Sequence, residues 1–398
     1  MIASTRTNYN KTFSQEKYTA FKQAIHSTYE HTPPFRLAET PIFVPKLLKE
    51  RLIVACEEIS QTIYHPKFKD WTEGAFEGVD LKVPNEDDYT LFLQMDFGVC
   101  LDENGQLIPQ LIETQGFPSL YFFQDLMATS YRTYFDIPKS YSPFFEGLNS
   151  ASYIALLKEA IIGDSKPENV ILLEIEPEKQ ATYIDFLCAQ DKIGLTVLCI
   201  SQLKKEGKNL YYLNEQGVRI PIHKIFNRVI FDELAQRADL KREFYFKDEV
   251  NIEWIGHPNW FYRISKYILP LLKSKYVPES FYLHQLNTYP ADLENYVLKP
   301  LFSFAGAGVN LHITPKILDT IPDKQHFIIQ KKVKYEPIIL TPTGEKSKCE
   351  IRMLMLREKG KIKAKIINNL VRITKGEMVG VKYNKDKDWV GASAAFFE

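Results

Sequence analysis

Two apolar runs on either side of a helical pattern constrain the fold of this chain most. The run "VILLEI" begins at Val170, and the run "LTVLCI" ends at Ile200. Between them, "TYIDFLCAQDKI" has apolar residues at three- and four-residue spacing, which is typical of an amphipathic helix. Two strands that are apolar on both faces, joined by a helix, predict a β-α-β unit and therefore a parallel sheet.

The chain has 398 residues, which is more than one compact core accommodates. We predict an α/β (α+β) protein with four parts. These are an N-terminal helical region packing on the core at 1–88, a central sheet at 89–160, the parallel-sheet segment at 161–255, and a strand-rich lobe at 256–398.

The composition excludes several classes of partner. Fifty basic and fifty acidic residues cancel, so no overall field would attract nucleic acid or an anionic membrane. No window has the roughly 18 uncharged apolar residues needed to span a bilayer, and the N-terminus has no apolar signal region. The five cysteines are scattered without CxxC spacing. We therefore expect a cytoplasmic protein in a reducing setting.

The stretch "YVLKPLFSFAGAGV" combines a lysine with unusually small residues. Lys299 ends an apolar strand, and Ser303, Gly306 and Gly308 follow in the next turn. Small residues let backbone N–H groups approach an anion closely, and a lysine adds a point charge. The pattern indicates a loop that covers phosphate groups; an ordinary glycine-bearing hairpin is an equal alternative.

A second group is acidic. Asp96 and Glu113 lie on adjacent predicted strands, and Gln115 returns to the face of Glu113 because strand residues alternate. Two carboxylates and an amide oxygen are the hard ligands that Mg²⁺ prefers. The alternative interpretation is a solvated sheet edge.

Two further features carry candidate residues. Lys266 lies near the start of a helix, and the strand "HFIIQKKV" ends in a segment whose backbone could pair with a purine edge through Gln330, Lys331 and Val333. Each of these also has an ordinary explanation, namely a solvated lysine and a strand leaving the sheet.

Two strands near the C-terminus carry arginines in an alternating pattern. Arg352 follows Glu350 in "CEIRMLML", and Arg372 follows Asn369 in "INNLVRIT". The planar guanidinium group suits phosphate and carboxylate groups. Exposed ion pairs on a sheet surface are the common alternative.

In their order along the chain, these features resemble those of ATP-grasp proteins. The resemblance is to the circularly permuted type found in the synthetase domain of glutathionylspermidine synthase, and it covers roughly Tyr89 to Val333. "MDFGVCLDENGQLIPQLIETQGF" is similar to that family's paired metal-binding strands, "EKQATYIDFL" to its Rossmann-like pre-ATP-grasp segment, and "LKPLFSFAGAGV" to its phosphate loop.

The resemblance implies an ATP-dependent ligase with antiparallel sheets that clamp the nucleotide. A carboxylate would be converted to an acylphosphate and joined to an amine or thiol. The implied roles of the residues are Mg²⁺ ligation by Asp96, Glu113 and Gln115, ATP binding by Lys266, Lys299, Ser303, Gly306, Gly308, Gln330, Lys331 and Val333, and catalysis by Arg352 and Arg372.

Two departures from the family pattern leave other functions open. Gln115 stands where the family has asparagine, and Phe304 and Ala305 stand where it has arginine and glutamate. The alternatives are a catalytically inactive ATP-binding regulatory or assembly protein, and a small-molecule kinase.

Overall fold

The structure is a computed structural model, and it describes residues 1–79, 81–303, 306–379, 384 and 386–398. Its helices and strands are given first. The α-helices are α1 (Ala3–Thr12), α2 (Gln15–Tyr29), α3 (Lys46–Ile63), α4 (Phe68–Trp71), α5 (Tyr121–Tyr134), α6 (Ser150–Ile161), α7 (Tyr183–Ile193), α8 (Phe231–Ala235), α9 (Trp260–Arg263) and α10 (Pro315–Asp319). The strands are β1 (Ile42–Val44), β2 (Phe92–Leu101), β3 (Leu107–Gln115), β4 (Val170–Glu174), β5 (Thr196–Cys199), β6 (Lys204–Glu206), β7 (Asn209–Leu213), β8 (Arg219–Ile222), β9 (Lys224–Asn227), β10 (Glu253–Ile255), β11 (Ser280–Tyr282), β12 (Tyr296–Pro300), β13 (Phe327–Lys331), β14 (Ile339–Leu340), β15 (Lys346–Arg357), β16 (Ala364–Thr374), β17 (Gly391–Ser393) and β18 (Ala395–Phe397).

A six-stranded antiparallel sheet forms the centre of the molecule. Its strands follow the order β17-β16-β15-β2-β3, and β14 pairs with β15 at one side. The helix α3 covers one face of this sheet, because Leu52 and Ile59 share a buried cluster with Met95 and Met353. The helices α1 and α2 precede α3, so the first part of the chain is largely helical.

A four-stranded parallel sheet stands beside the central sheet. Its order is β10-β9-β4-β5, and β4 and β5 pair in parallel on either side of the helix α7. The predicted β-α-β unit is therefore confirmed. Its carboxyl edge is formed by the last residues of β4 and β9, Glu174 and Asn227, where open α/β sheets usually bind ligands.

A small antiparallel sheet, with the order β11-β13-β12, presents Lys299. The segment "GVNLHI" at 308–313 has the alternating pattern of a strand but forms none. The backbone there makes a single bridge, in which the amides of Leu298 and Asn310 each donate to the carbonyl oxygen of the other at 3.0 Å. The glycine-bearing turn before Asn310 leaves too little extended chain for a ladder.

The N-terminal and C-terminal parts of the chain meet in a two-stranded parallel sheet. In it, Ile42 lies opposite Ala395 and Val44 lies opposite Phe397. All five cysteines are free and buried. Within the described residues, no helix is both long and apolar enough to cross a membrane. The whole has the mixed α/β composition that the sequence predicts.

Candidate active site

Adjacent strands of the central sheet bring the predicted acidic and basic residues to one face. Asp96 on β2 lies opposite Glu113 on β3 and opposite Arg352 on β15. Two residues earlier on β15, Glu350 lies opposite Arg372 on β16. Since side chains alternate along a strand, and directly opposed residues point the same way, all five side chains share this face.

Asp96 is bound by arginine on both of its carboxylate oxygens. The Nε of Arg352 donates to Oδ1 at 2.5 Å and its Nη2 donates to Oδ2 at 2.7 Å. The Nη2 of Arg372 donates to the same Oδ2 and also to Oε1 of Glu350. Asp96 is fully buried. Such a bidentate pair is among the stronger polar contacts in proteins.

Glu113 forms an ion pair with Lys266. Its Oε2 lies 3.5 Å from Nζ of Lys266, and its Oε1 accepts a hydrogen bond from Nε2 of Gln115 at 2.9 Å. Burial alone raises the pKa of this carboxyl, but Lys266, followed by Arg372 and Arg352, more than offsets it and lowers the pKa to about 2. Glu113 is therefore charged at neutral pH.

A bulge in the central sheet positions Lys299. The ladder between β2 and β3 shifts register after Asp96, so that Ile112 has no direct partner on β2. The carbonyl oxygen of Ile112 instead accepts a hydrogen bond from Nζ of Lys299 at 2.9 Å, and Oε1 of Gln330 accepts another at 2.5 Å. Burial lowers the pKa of Lys299 to about 8.

Several buried polar atoms around these lysines have no hydrogen-bond partner in the described part of the chain. They are Oγ of Ser303, Nε2 of Gln330 and Nε of Arg372. The backbone of Ser303 is held in place, because its carbonyl oxygen accepts from Nζ of Lys266 at 2.5 Å. Unpaired donors beside two ammonium groups fit an anion with several oxygens, such as a phosphate group.

The space beside this cluster is small. A cavity of about 30 Å³ is bordered by Glu113, Gln115, Phe117, Lys266 and Ser303, among others. This volume is about that of one water molecule, whereas small-molecule sites occupy roughly 300–1,000 Å³. The cavity is therefore too small to hold a nucleotide.

The glycine loop has the backbone conformation that small residues permit. Gly306 and Gly308 have φ angles of 73° and 70°, in the left-handed region that disfavours larger residues. A Cβ atom on Gly308 would lie 2.7 Å from Cγ of Pro300. Phe304 and Ala305, where the sequence departs from the family pattern, lie outside the described residues.

The residues of the predicted adenine-binding segment, Gln330, Lys331 and Val333, do not all face the same way. Lys331 ends β13; its amide donates to the carbonyl oxygen of Glu279, and its Nζ lies 3.7 Å from Asp292. Because residues alternate, Lys331 faces away from the side of Gln330. Val333 lies over the central sheet, where its Cγ1 is 2.8 Å from the position that a Cβ on Gly98 would take.

Sequence reasoning gave Glu350 no role of its own and missed Tyr335. The hydroxyl of Tyr335 donates to Oε2 of Glu350 at 2.9 Å. Burial raises the pKa of Glu350, while Arg372 opposes that rise. The segment after Val333 thus crosses the sheet face and reaches the arginine cluster, which no local pattern in the sequence indicates.

A second missed group lies at the carboxyl edge of the parallel sheet. Arg228 is only 4% exposed, yet its Nε and Nη1 have no hydrogen-bond partner among the residues described. Its guanidinium lies 4.5 Å from the ring centre of Phe117, and Nη2 is 3.5 Å from Oγ1 of Thr182. The sequence does hold a signal for this group, because Arg228 is a charged residue that directly follows the buried strand β9.

Two buried carboxylates accompany Arg228. Burial raises the pKa of Glu174 to about 8, although Arg228 opposes the rise. Burial also raises the pKa of Asp185, whose Oδ1 accepts hydrogen bonds from the amides of Phe122 and Phe123 at the start of α5, each at 2.8 Å. Neither carboxylate makes a hydrogen bond to Arg228 in the described structure, so this guanidinium keeps free donors.

A larger cavity of about 780 Å³ lies elsewhere, between the amino ends of β9 and β10 and the turn after β15. Its border includes Lys224, Trp254, Arg357 and Lys361. None of the predicted site residues borders it. The candidate active site is therefore the charged cluster rather than this larger cavity.

No protein-family model matches the chain, and no curated protein matches it in sequence. Two solved structures align with most of it. A putative gamma-glutamylcysteine synthetase from Methylobacillus flagellatus has 12% identity over 86% of both chains, but its TM-score of 0.40 is too low to indicate a shared fold. A glutathione synthetase-like effector from Globodera pallida, in its apo form, has 11% identity, covers 96% of both chains and gives a TM-score of 0.57. The chain therefore has a fold like that of this glutathione synthetase-like protein.

Proposed function

We propose that this protein is an ATP-dependent ligase that joins a carboxylate to an amine or thiol. The observation that carries the proposal is the convergence of Lys266, Lys299 and Arg372 beside buried polar atoms that lack partners among the described residues. The synthetase-like fold supports the same class of reaction.

The lysine cluster fits the phosphate groups of a nucleotide. Lys266 and Lys299 are 6% and 8% exposed, so their ammonium groups are largely removed from water. Electrostatic attraction to a phosphate is stronger in such surroundings than at the surface. Ser303 and Gln330 add neutral donors on the same side.

The carboxylate substrate fits the group around Arg228. The guanidinium of Arg228 is buried, and its Nε and Nη1 have no partner in the described part of the chain, so it presents the forked geometry that carboxylates accept. Phe117 connects the two groups, because its ring lies beneath Arg228 and also borders the small cavity next to Glu113 and Lys266. The two ligands would therefore lie side by side.

ATP, when bound, would supply the phosphoryl group that activates the carboxylate. The chain's own residues would then position the two substrates and neutralise the charge of the phosphate groups. Arg228 would orient the acid, Lys266 and Lys299 would hold phosphate oxygens, and Arg372 would face the transferring group. The glycine loop at Gly306 would exclude water.

An inactive nucleotide-binding protein is the second candidate. The contacts of Asp96 favour it, because Arg352 and Arg372 bind the carboxylate that the resemblance assigns to Mg²⁺. ATP binding without turnover over many acids and amines would select this function. A stable phosphorylated product without any condensation would select a kinase.

The test is ADP release in the presence of amino acids and short peptides as acids, with amines and thiols as nucleophiles. We expect release that depends on both substrates and that is lost in Lys266→Ala. Lys273→Ala is the matched control, because that lysine is exposed and its Nζ lies 3.5 Å from the carbonyl oxygen of Pro270. No ADP release with any pair of substrates, from a chain that binds ATP, would overturn the ligase proposal.

A further inference from the structure

The carboxylate at Asp96 has little capacity left for a metal ion. Three hydrogen bonds from Arg352 and Arg372 reach its two oxygens. A carboxylate accepts about four hydrogen bonds, so most of its lone pairs are used. A divalent cation at Asp96 would have to displace a buried, bidentate guanidinium.

The other carboxylates of the cluster are also paired. Glu350 accepts hydrogen bonds from Arg372 and from the hydroxyl of Tyr335. Glu113 faces Lys266 at 3.5 Å and accepts a hydrogen bond from Gln115. Over the described residues, no group of three or more His, Cys, Asp or Glu side chains is arranged to hold a metal ion.

The balance of charge on this face also disfavours a divalent cation. The carboxylates of Asp96, Glu113 and Glu350 meet four cationic groups. These are Lys266, Lys299, Arg352 and Arg372. Magnesium sites have an excess of oxygen ligands with negative charge. The residues present therefore do not fit the predicted site at Asp96, Glu113 and Gln115.

We propose that arginine takes the place of magnesium in this chain, so that it binds ATP without a divalent ion. This inference rests on the proposed function, since it concerns the same nucleotide site. Arg372 can reach the phosphate groups, because its side chain is 34% exposed and its Nε has no partner among the described residues. Arg352 holds Asp96 in place and thereby fixes the position of Arg372.

The register of the sheet makes this arrangement specific. Arg352 can bind Asp96 with both nitrogens because the two residues are directly opposed on β15 and β2. Arg372 reaches the same carboxylate from the next strand, β16. Guanidinium groups keep their charge at all physiological pH values and bind phosphate oxygens in pairs. They can therefore neutralise the negative charge of the phosphate groups, as a bound cation does in magnesium-dependent sites.

The test is a calorimetric titration of the full chain with ATP, once with excess EDTA and once with excess Mg²⁺. We expect the two dissociation constants to agree within about threefold. Tighter binding in magnesium by tenfold or more would overturn this inference and leave the proposed function standing. Absence of binding in both titrations would overturn both.

The variant Arg352→Gln frees one side of Asp96 and tests the mechanism. We expect its affinity for metal-free ATP to fall at least tenfold and to recover in magnesium. Manganese binding, measured by electron paramagnetic resonance without nucleotide, gives a readout independent of activity. We expect none in the wild type and binding in Arg352→Gln. Manganese binding by the wild type would contradict the inference even if the variant failed to fold.

Discussion

At the scale of single residues, two buried arginines have opposite surroundings. Arg263 is 2% exposed, and it donates hydrogen bonds to Glu86, Glu73, Thr72 and the carbonyl oxygen of Lys69. Arg228 is 4% exposed and leaves two of its nitrogens without partners in the described structure. Fully paired donors, as in Arg263, are typical of a structural role. Buried donors without partners, as in Arg228, are typical of a ligand-binding group.

Replacement of each arginine by methionine separates these roles. At about pH 6, where Glu174 holds its proton, we expect Arg228→Met to be neutral or to gain about 1 kcal/mol, because it removes unsatisfied buried donors. We expect Arg263→Met to lose about 3–5 kcal/mol, because it removes the arginine that pairs with Glu86, whose side chain is only 9% exposed. Urea unfolding measures both. An equal loss in the two variants would contradict a ligand-binding role for Arg228.

The pH dependence of stability tests Glu174. Its pKa is about 8 in the folded chain, against an ordinary value of 4.5. Between these values the folded state holds a proton that the unfolded state releases, so stability falls as the pH rises through this window. We expect Glu174→Gln to flatten that fall in urea unfolding between about pH 5 and 8. The exposed Glu215→Gln is the control and should keep the wild-type slope.

At the scale of elements, local chemistry explains the predictions that succeeded. The β-α-β unit at 170–199 and the hairpin of β2 and β3 follow from apolar patterns and turn residues that lie within a few positions of one another. The bulge at Ile112 and the crossing of Tyr335 over the sheet depend on partners far away in the chain. Such contacts have no local signal in the sequence. The lysines and arginines of the site could therefore be identified from the sequence, but the residues that they contact could not.

The glycine loop after β12 provides an element-level prediction. Gly308→Ala would place a Cβ 2.7 Å from Cγ of Pro300 in addition to the strain of a positive φ. Gly105→Ala has the strain alone, with φ of 73° and no atom of the described chain within 4 Å of the new Cβ. We expect Gly105→Ala to cost about 1 kcal/mol in urea unfolding. We expect Gly308→Ala to cost more, and to weaken ATP binding; equal effects would argue against a shaped loop.

At the scale of the whole molecule, the site is closed. The small sheet of β11–β13 lies against the central sheet through Lys299 and the carbonyl oxygen of Ile112. The cavity left near Glu113 and Lys266 is about 30 Å³. On the proposed function, we expect ATP to enter from a state in which these sheets have moved apart.

This closure predicts a limit on the rate of nucleotide binding. If opening must come first, the observed association rate should level off as the ATP concentration rises. Stopped-flow fluorescence can follow this through the tryptophans. We expect Lys299→Met, which removes the contact with Ile112, to raise the plateau. A rate that stays linear in ATP up to the fastest measurable values would show that the site is already open.

The pairing of β1 with β18 bears on the synthesis of the chain. The partner of Ile42 is Ala395, so the sequence separation is 353 residues. At a translation rate of about 5–20 residues per second, β1 waits on the order of 20–70 s for the strand that completes its sheet. During that interval the apolar side chains of Ile42, Phe43 and Val44 must be shielded by the first helices or by a chaperone. The strand β1 is thus made long before the strand with which it pairs.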